Sequence, residues 1–212
     1  MKQEDINQPF HLPEGVTKIP NVEQIIAPYS VRIYTVDGKP IIDNDKMRKA
    51  YESIRPIRNL IIESALLVES ALTVAILHFM VGVDYPKQNI LRSFVFEAEF
   101  CTFMQKRKML SKIFEIEEKN ITCLTREEAK NLRREINEII LERDKFTHGM
   151  IIIDCREYQA MIQYYRNGTQ IDKIESESGD KFFEKCQKCI YSLSKLTDFF
   201  KSNSPSSVES KK

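Results

Sequence analysis

A mainly helical fold follows from three features of this 212-residue chain. Apolar residues recur at three- and four-residue spacings over long stretches, only six glycines interrupt them, and β-branched runs with turn residues are confined to two short regions. The architecture expected is a bundle of four or five helices, with an N-terminal β-hairpin before it and a small β-meander inserted ahead of the last helix. Residues 1–43 form an arm that carries the hairpin, 44–201 the helical domain with its β insertion at 150–175, and 202–212 a disordered tail.

Composition narrows the class. With 42% apolar and 30% charged residues the chain is neither disordered nor collagen-like. A formal net charge of +1 supplies no global field toward nucleic acid or anionic lipid, so binding to either must come from a local patch. Five scattered cysteines, an odd number, and no leader-like start predict a reducing, cytoplasmic setting. Cys186 and Cys189 have the C-x-x-C spacing of redox and zinc sites but fall mid-helix with no second ligand pair, so no metal site and no cofactor are expected.

The elements follow in order. Ser30 to Ile42 alternates apolar and polar residues around Asp37-Gly38, which predicts the hairpin. Asp43, Asn44 and Asp45 offer helix-starting acceptors, and a long helical region reaches about Val81, kinked or broken at Pro56 and ended by Gly82. Within it, 60–82 approaches the length of a membrane span, but Glu63, Glu69 and His78 make a buried core helix the less costly solution. A second helix is expected from Gln88 to about Glu117, and a third from Thr125, where Thr125 and Glu128 make a capping box, to the neighbourhood of His148. Beyond Gly149, the runs 150–155, 158–165 and 169–174 read as strands, the last two joined at Asn167-Gly168. A final helix runs from Ser178 or Asp180 to Phe200.

The chemistry-bearing stretch is Arg143-Asp144-Lys145-Phe146-Thr147-His148. A guanidinium is a permanent, forked donor to phosphate oxygens, and an imidazole accepts and donates protons near neutral pH. Together they meet the needs of metal-free RNA cleavage: a base for the 2′-hydroxyl and a cation for the phosphorane. Residues five apart on a straight helix point about 140° apart, so either the helix loosens near Thr147-His148-Gly149 or a second copy completes the site. Lys106, Arg107, Lys108 and Lys112, with Arg126, Lys130, Arg133 and Arg134 on the next helix, make a candidate basic face for a phosphate backbone, although interleaved glutamates dilute it.

Arg143, the polar Asp144 behind it and His148 five positions on resemble the R-x4-6-H signature of the HEPN superfamily, in which Asn, Asp or His commonly follows the Arg. A helical bundle, an early apolar helix carrying Glu63 and Glu69, and a late motif extend the resemblance over roughly 45–200. It implies a homodimeric, metal-independent endoribonuclease of toxin-antitoxin, abortive-infection or other defence systems, acting on RNA and restrained by an antitoxin or defence partner protein; the charges within 60–82 separately predict no membrane association. Under it Arg143, His148 and Asp144 are catalytic, and Lys145, Arg133, Arg134, Lys106 and Arg107 contact the substrate. The alternative is a non-catalytic HEPN-like dimerisation or scaffold module. The same four charges, Glu142 to Lys145, also fit an ordinary solvated run, in which Glu69 and Glu63 need partners and Arg143 is a candidate for one.

Overall fold

The structure, a computed structural model, describes residues 43–154 and 157–203 together with the backbone of three strand segments at 30–32, 35–36 and 39–40. The described residues are mainly helical, with five α-helices and a small sheet inserted before the last of them. They fall into two compact units: one gathers the described residues up to Arg55 with those of Gly149–Glu175, the other those of Pro56–His148 and the described residues from Ser176 to Asn203.

The first unit contains the strands and the opening turns of the first helix. β1 (Ser30–Arg32) lies parallel to β4 (Met150–Asp154), and β4, β5 (Gln159–Tyr165) and β6 (Thr169–Lys173) form an antiparallel meander. Its register pairs Ile151 with Ile162, Ile153 with Ala160 and Tyr165 with Thr169. Ile151, Ile152 and Ile153 are all buried, as expected of an inner strand covered on both faces. Asn167 and Gly168 take positive φ of 53° and 118°, the backbone geometry for which an Asn-Gly pair is suited. β2 (Thr35–Val36) and β3 (Lys39–Pro40) pair with each other, but the Asp37-Gly38 turn and positions 33, 34, 41 and 42 of the hairpin expected over 30–42 lie outside the described residues. The tail from 204 lies outside them too.

Helix α1 (Asn44–Val81) begins where the Asp43 carboxylate accepts the backbone N–H groups of Asp45 and Lys46, each at 3.1 Å. It passes through Pro56 without a break in its assignment. Pro56 is exposed, so the carbonyl it leaves unpaired one turn back, on exposed Glu52, faces water, and the helix tolerates it. At the other end Gly82 (φ 61°) donates to the His78 carbonyl at 3.0 Å, and the His78 Nδ1–H and the Gln88 side-chain amide both donate to the Gly82 carbonyl.

The helix expected over 88–117 is three pieces. α2 (Tyr85–Leu91) starts three residues earlier, because Asp84 accepts the Lys87 N–H at 3.1 Å and Pro86 occupies the first turn. A π-helical segment follows at Arg92–Phe96, and after a break α3 (Phe103–Ile116) restarts where the Thr102 hydroxyl accepts the Gln105 N–H at 3.3 Å. α4 (Arg126–His148) opens on the expected capping box: the Thr125 N–H donates to the Glu128 carboxylate at 2.7 Å, and the Glu128 N–H donates back to the Thr125 hydroxyl at 3.2 Å. α5 (Ser178–Ser202) completes the unit.

The core of this second unit is built from Ile61, Val68, Leu72 and Ile76 of α1, Phe103 and Leu110 of α3, Ile136, Ile139 and Phe146 of α4, and Phe182, Leu193 and Leu196 of α5, each at least nine-tenths buried. Gly179 permits a close approach, since a Cβ there would lie 3.2 Å from the Leu60 side chain. By length and composition α1 could cross a membrane, and half of its most apolar window is buried within the chain. The buried half is the stripe just named, while the opposite stripe shows Glu63, Leu66, Leu67 and Ser70 to the outside.

Candidate functional site

α4 sorts the candidate residues onto two of its faces. Arg143 turns inward. Its Nη1 lies 3.5 Å from Glu69 of α1, its Nη2 donates to Asp144 at 2.7 Å, and its guanidinium stands 5.7 Å over the Phe103 ring. Glu69 in turn accepts the Lys106 ammonium of α3 at 2.7 Å, with 9% of the Lys106 side chain and 18% of Glu69 exposed. Lys106, Glu69, Arg143 and Asp144 are therefore a chain of alternating charges tying three helices together. Each ion has an opposite neighbour, which is the condition for placing them in so apolar a setting. The sequence had pointed to Arg143 as a partner for an acidic residue of α1, and Glu69 takes that role; Glu63 is exposed instead.

His148 is the last residue of α4 and is exposed, with no side-chain hydrogen bond or ion pair among the described residues. α4 stays α-helical through it, so the loosening that would swing Arg143 and His148 together within one chain is not what the backbone does. At about 100° per residue the two side chains leave the helix about 140° apart. Arg58 of α1 donates to the Thr147 carbonyl at 3.3 Å and satisfies one of the terminal carbonyls beside His148. Lys145 pairs with Glu142 at 3.1 Å and is mostly buried, which turns its ammonium away from a purely solvent role.

The second face of α4 meets α3 in a groove of about 340 Å³ lined by Arg107, Ser111, Lys130, Arg133, Arg134 and Asn137. Four of these six side chains are cationic, and none is acidic. The Arg107 Nε is buried and finds no hydrogen-bond partner among the described residues, while one of its terminal nitrogens lies 3.8 Å from the Met104 sulfur. Arg133 stands over the Phe114 ring at 5.7 Å, and Arg134 pairs with the exposed Glu138 of the next turn at 3.9 Å. Arg107, Arg133 and Arg134, singled out from the sequence, thus share one groove. Lys106 does not join them: one residue from Arg107, it leaves the helix about 100° away and turns into the core. Ser111 and Asn137 went unnoticed, since uncharged polar residues on an amphipathic helix carry no signal until the opposite wall is known.

The C-x-x-C pair is interior packing. Cys186 and Cys189 are buried in α5, and burial pushes the Cys186 thiol up to about 12 and the Cys189 thiol higher still, aided by Glu135, whose carboxylate accepts its S–H at 3.4 Å. Among the described residues there is no group of three or more His, Cys, Asp or Glu side chains placed to hold a metal ion. No family model matches this chain, and neither does any curated protein or solved structure.

Proposed function

We propose that this chain is a metal-independent endoribonuclease of HEPN type that works as a two-fold dimer in a toxin-antitoxin or related defence setting. The observation that carries the reading is the position of His148: an uncommitted imidazole, exposed at the end of α4, on the same face of that helix as the basic groove. Lys130 and His148 are 18 residues apart, five turns of an α-helix, so their side chains leave it in nearly the same direction about 27 Å apart. In the reaction His148 draws the proton from a ribose 2′-hydroxyl, the oxygen attacks the adjacent phosphorus, and a 2′,3′-cyclic phosphate forms as the 5′-oxygen departs with a proton. Arg143 of the second copy stabilises the charge on phosphorus, with Asp144 steering its guanidinium. Leu66 and Leu67, each more than half exposed on α1, supply apolar surface for such a dimer.

A non-catalytic scaffold is the second reading, and one observation favours it. The Arg143 guanidinium is already shared between Glu69 and Asp144, as befits an anchor that joins α4 to α1. Purified protein incubated with a panel of RNAs in EDTA separates the two. The expected result is cleavage to cyclic-phosphate ends, lowered at least about a hundredfold by His148→Ala and by Arg143→Lys, the latter keeping a cation beside Glu69. A folded dimer that leaves every RNA intact, with normal growth on overexpression, establishes the scaffold; a strictly monomeric mass by light scattering removes the composite site.

A further inference from the structure

The groove between α3 and α4 has a composition that folding alone does not ask for. Exposed helix faces elsewhere in this chain carry glutamates among their lysines and arginines, and several cations there pair at i,i+3 or i,i+4, as Lys112 does with Glu115 and Lys181 with Glu177. The groove collects Arg107, Lys130, Arg133 and Arg134 without a carboxylate in its lining, and of these Arg134 has Glu138 of the next turn at 3.9 Å. Four like charges around one hollow repel one another, and an anion held among them relieves that repulsion. Guanidinium forks suit phosphate oxygens, and Ser111 and Asn137 add neutral donors.

The lining also says which phosphate. It contains no aromatic side chain, and the Phe114 ring beside it is covered by Arg133, so a nucleobase has nothing in the lining to stack on. A volume of about 340 Å³ lies at the low end of small-ligand pockets, and the side chains that line it are all polar or cationic. The contacts fit a backbone read by charge. On α4 the same face continues past Asn137, Leu141 and Asp144 to His148, and the Asp144 carboxylate on that path is engaged by Arg143 at 2.7 Å, so a strand held in the groove runs toward the imidazole.

We propose that the α3–α4 groove is a phosphate-backbone site that binds single-stranded RNA through Arg107, Lys130, Arg133 and Arg134 and leads it along α4 to His148. The leading half of this assignment rests on the ribonuclease reading above; the binding half does not. The test is fluorescence anisotropy with a labelled, fully 2′-O-methylated RNA 12-mer, which has no attacking hydroxyl, titrated with the full chain at several salt concentrations in EDTA. Wild-type binding should fall with a log–log salt slope of about −3, from about −0.7 for each of the four cations. Arg134→Ala, at an exposed position, and Arg107→Met with Arg134→Ala should flatten the slope by about 0.7 per cation removed, and the double variant should weaken binding at least about tenfold at low salt. Lys188→Ala, at an exposed position of α5 outside the groove, should bind as wild type does. Unchanged affinity in both groove variants, with circular dichroism showing them folded, overturns the site. Displacement of the RNA by micromolar inorganic pyrophosphate overturns the strand and leaves a small-anion pocket. Groove-dependent binding without cleavage of an unmodified RNA upholds the site while sinking the ribonuclease reading.

Discussion

Removing Glu69 tests the charge chain that holds Arg143. Its carboxylate is bonded to Lys106 at 2.7 Å and faces Arg143 at 3.5 Å, with side-chain exposures of 18%, 9% and 24% in that order. Glu69→Ala leaves the Lys106 ammonium buried without its counter-ion, whereas Arg143 retains Asp144. Breaking one side of a buried pair costs about 3–5 kcal/mol; the residual exposure here lets water in and lowers that to about 2–4 kcal/mol. For a chain of this size the melting temperature should drop by roughly 5–15 °C. Lys106→Met alone should cost less, about 1–2 kcal/mol, because Glu69 still has Arg143 and the methionine keeps most of the packing volume. In the double variant the orphaned ammonium is gone, so the two losses should not add, and the coupling should reach about 1.5 kcal/mol or more. Urea unfolding followed by circular dichroism measures all three. A loss below about 1 kcal/mol for Glu69→Ala, or additive losses in the double variant, would show that the pair is solvated and that Arg143 is not held by it.

Thr125→Ala removes the hydroxyl half of the α4 capping box and should lower the melting temperature by about 2–4 °C, with Thr125→Ser restoring it; equal loss in both variants would assign the effect to the methyl group. Burial depresses the His78 pKa below its ordinary value of 6.5, with Lys201 acting the same way and the Gly82 carbonyl and Asp198 opposing. A depressed histidine contributes stability that is complete above the unfolded pKa and is lost as pH falls through the folded one. Unfolding midpoints should therefore decline below about pH 6.5 more steeply in wild type than in His78→Gln, and parallel curves would refute the assignment. Cys186 and Cys189 should resist a thiol-reactive disulfide reagent at pH 8 until denaturant is added; reaction of the native protein at either position would contradict their burial. Untagged protein should stay in the supernatant after a carbonate wash, and recovery in the membrane pellet would mean that Leu66 and Leu67 on α1 face lipid.

Short-range physics was legible in the residues. The Thr125–Glu128 box, the Asn167-Gly168 turn, the apolar period of α5 and the stop at Gly82 each depend on groups within four positions of one another, so spacing alone specifies them. The break between α2 and α3 had a comparable signal, a Thr102-x-x-Gln105 start, but the continuous apolar pattern of 91–114 hid it. Arg143, Asp144 and His148 could be picked out because residue type and interval are local too. What they face could not. Whether Lys106 or its neighbour Arg107 turns to the core depends on the rotation of α3 about its axis, and that rotation is set by Glu69 of α1, 37 residues from Lys106, and by Arg143 of α4 over the Phe103 ring. The groove likewise exists only once α3 and α4 lie side by side, bringing Arg107 and Ser111 opposite Lys130, Arg133, Arg134 and Asn137. Charge along a chain is additive and readable; the direction in which a helix presents it is a property of contacts that only tertiary packing creates.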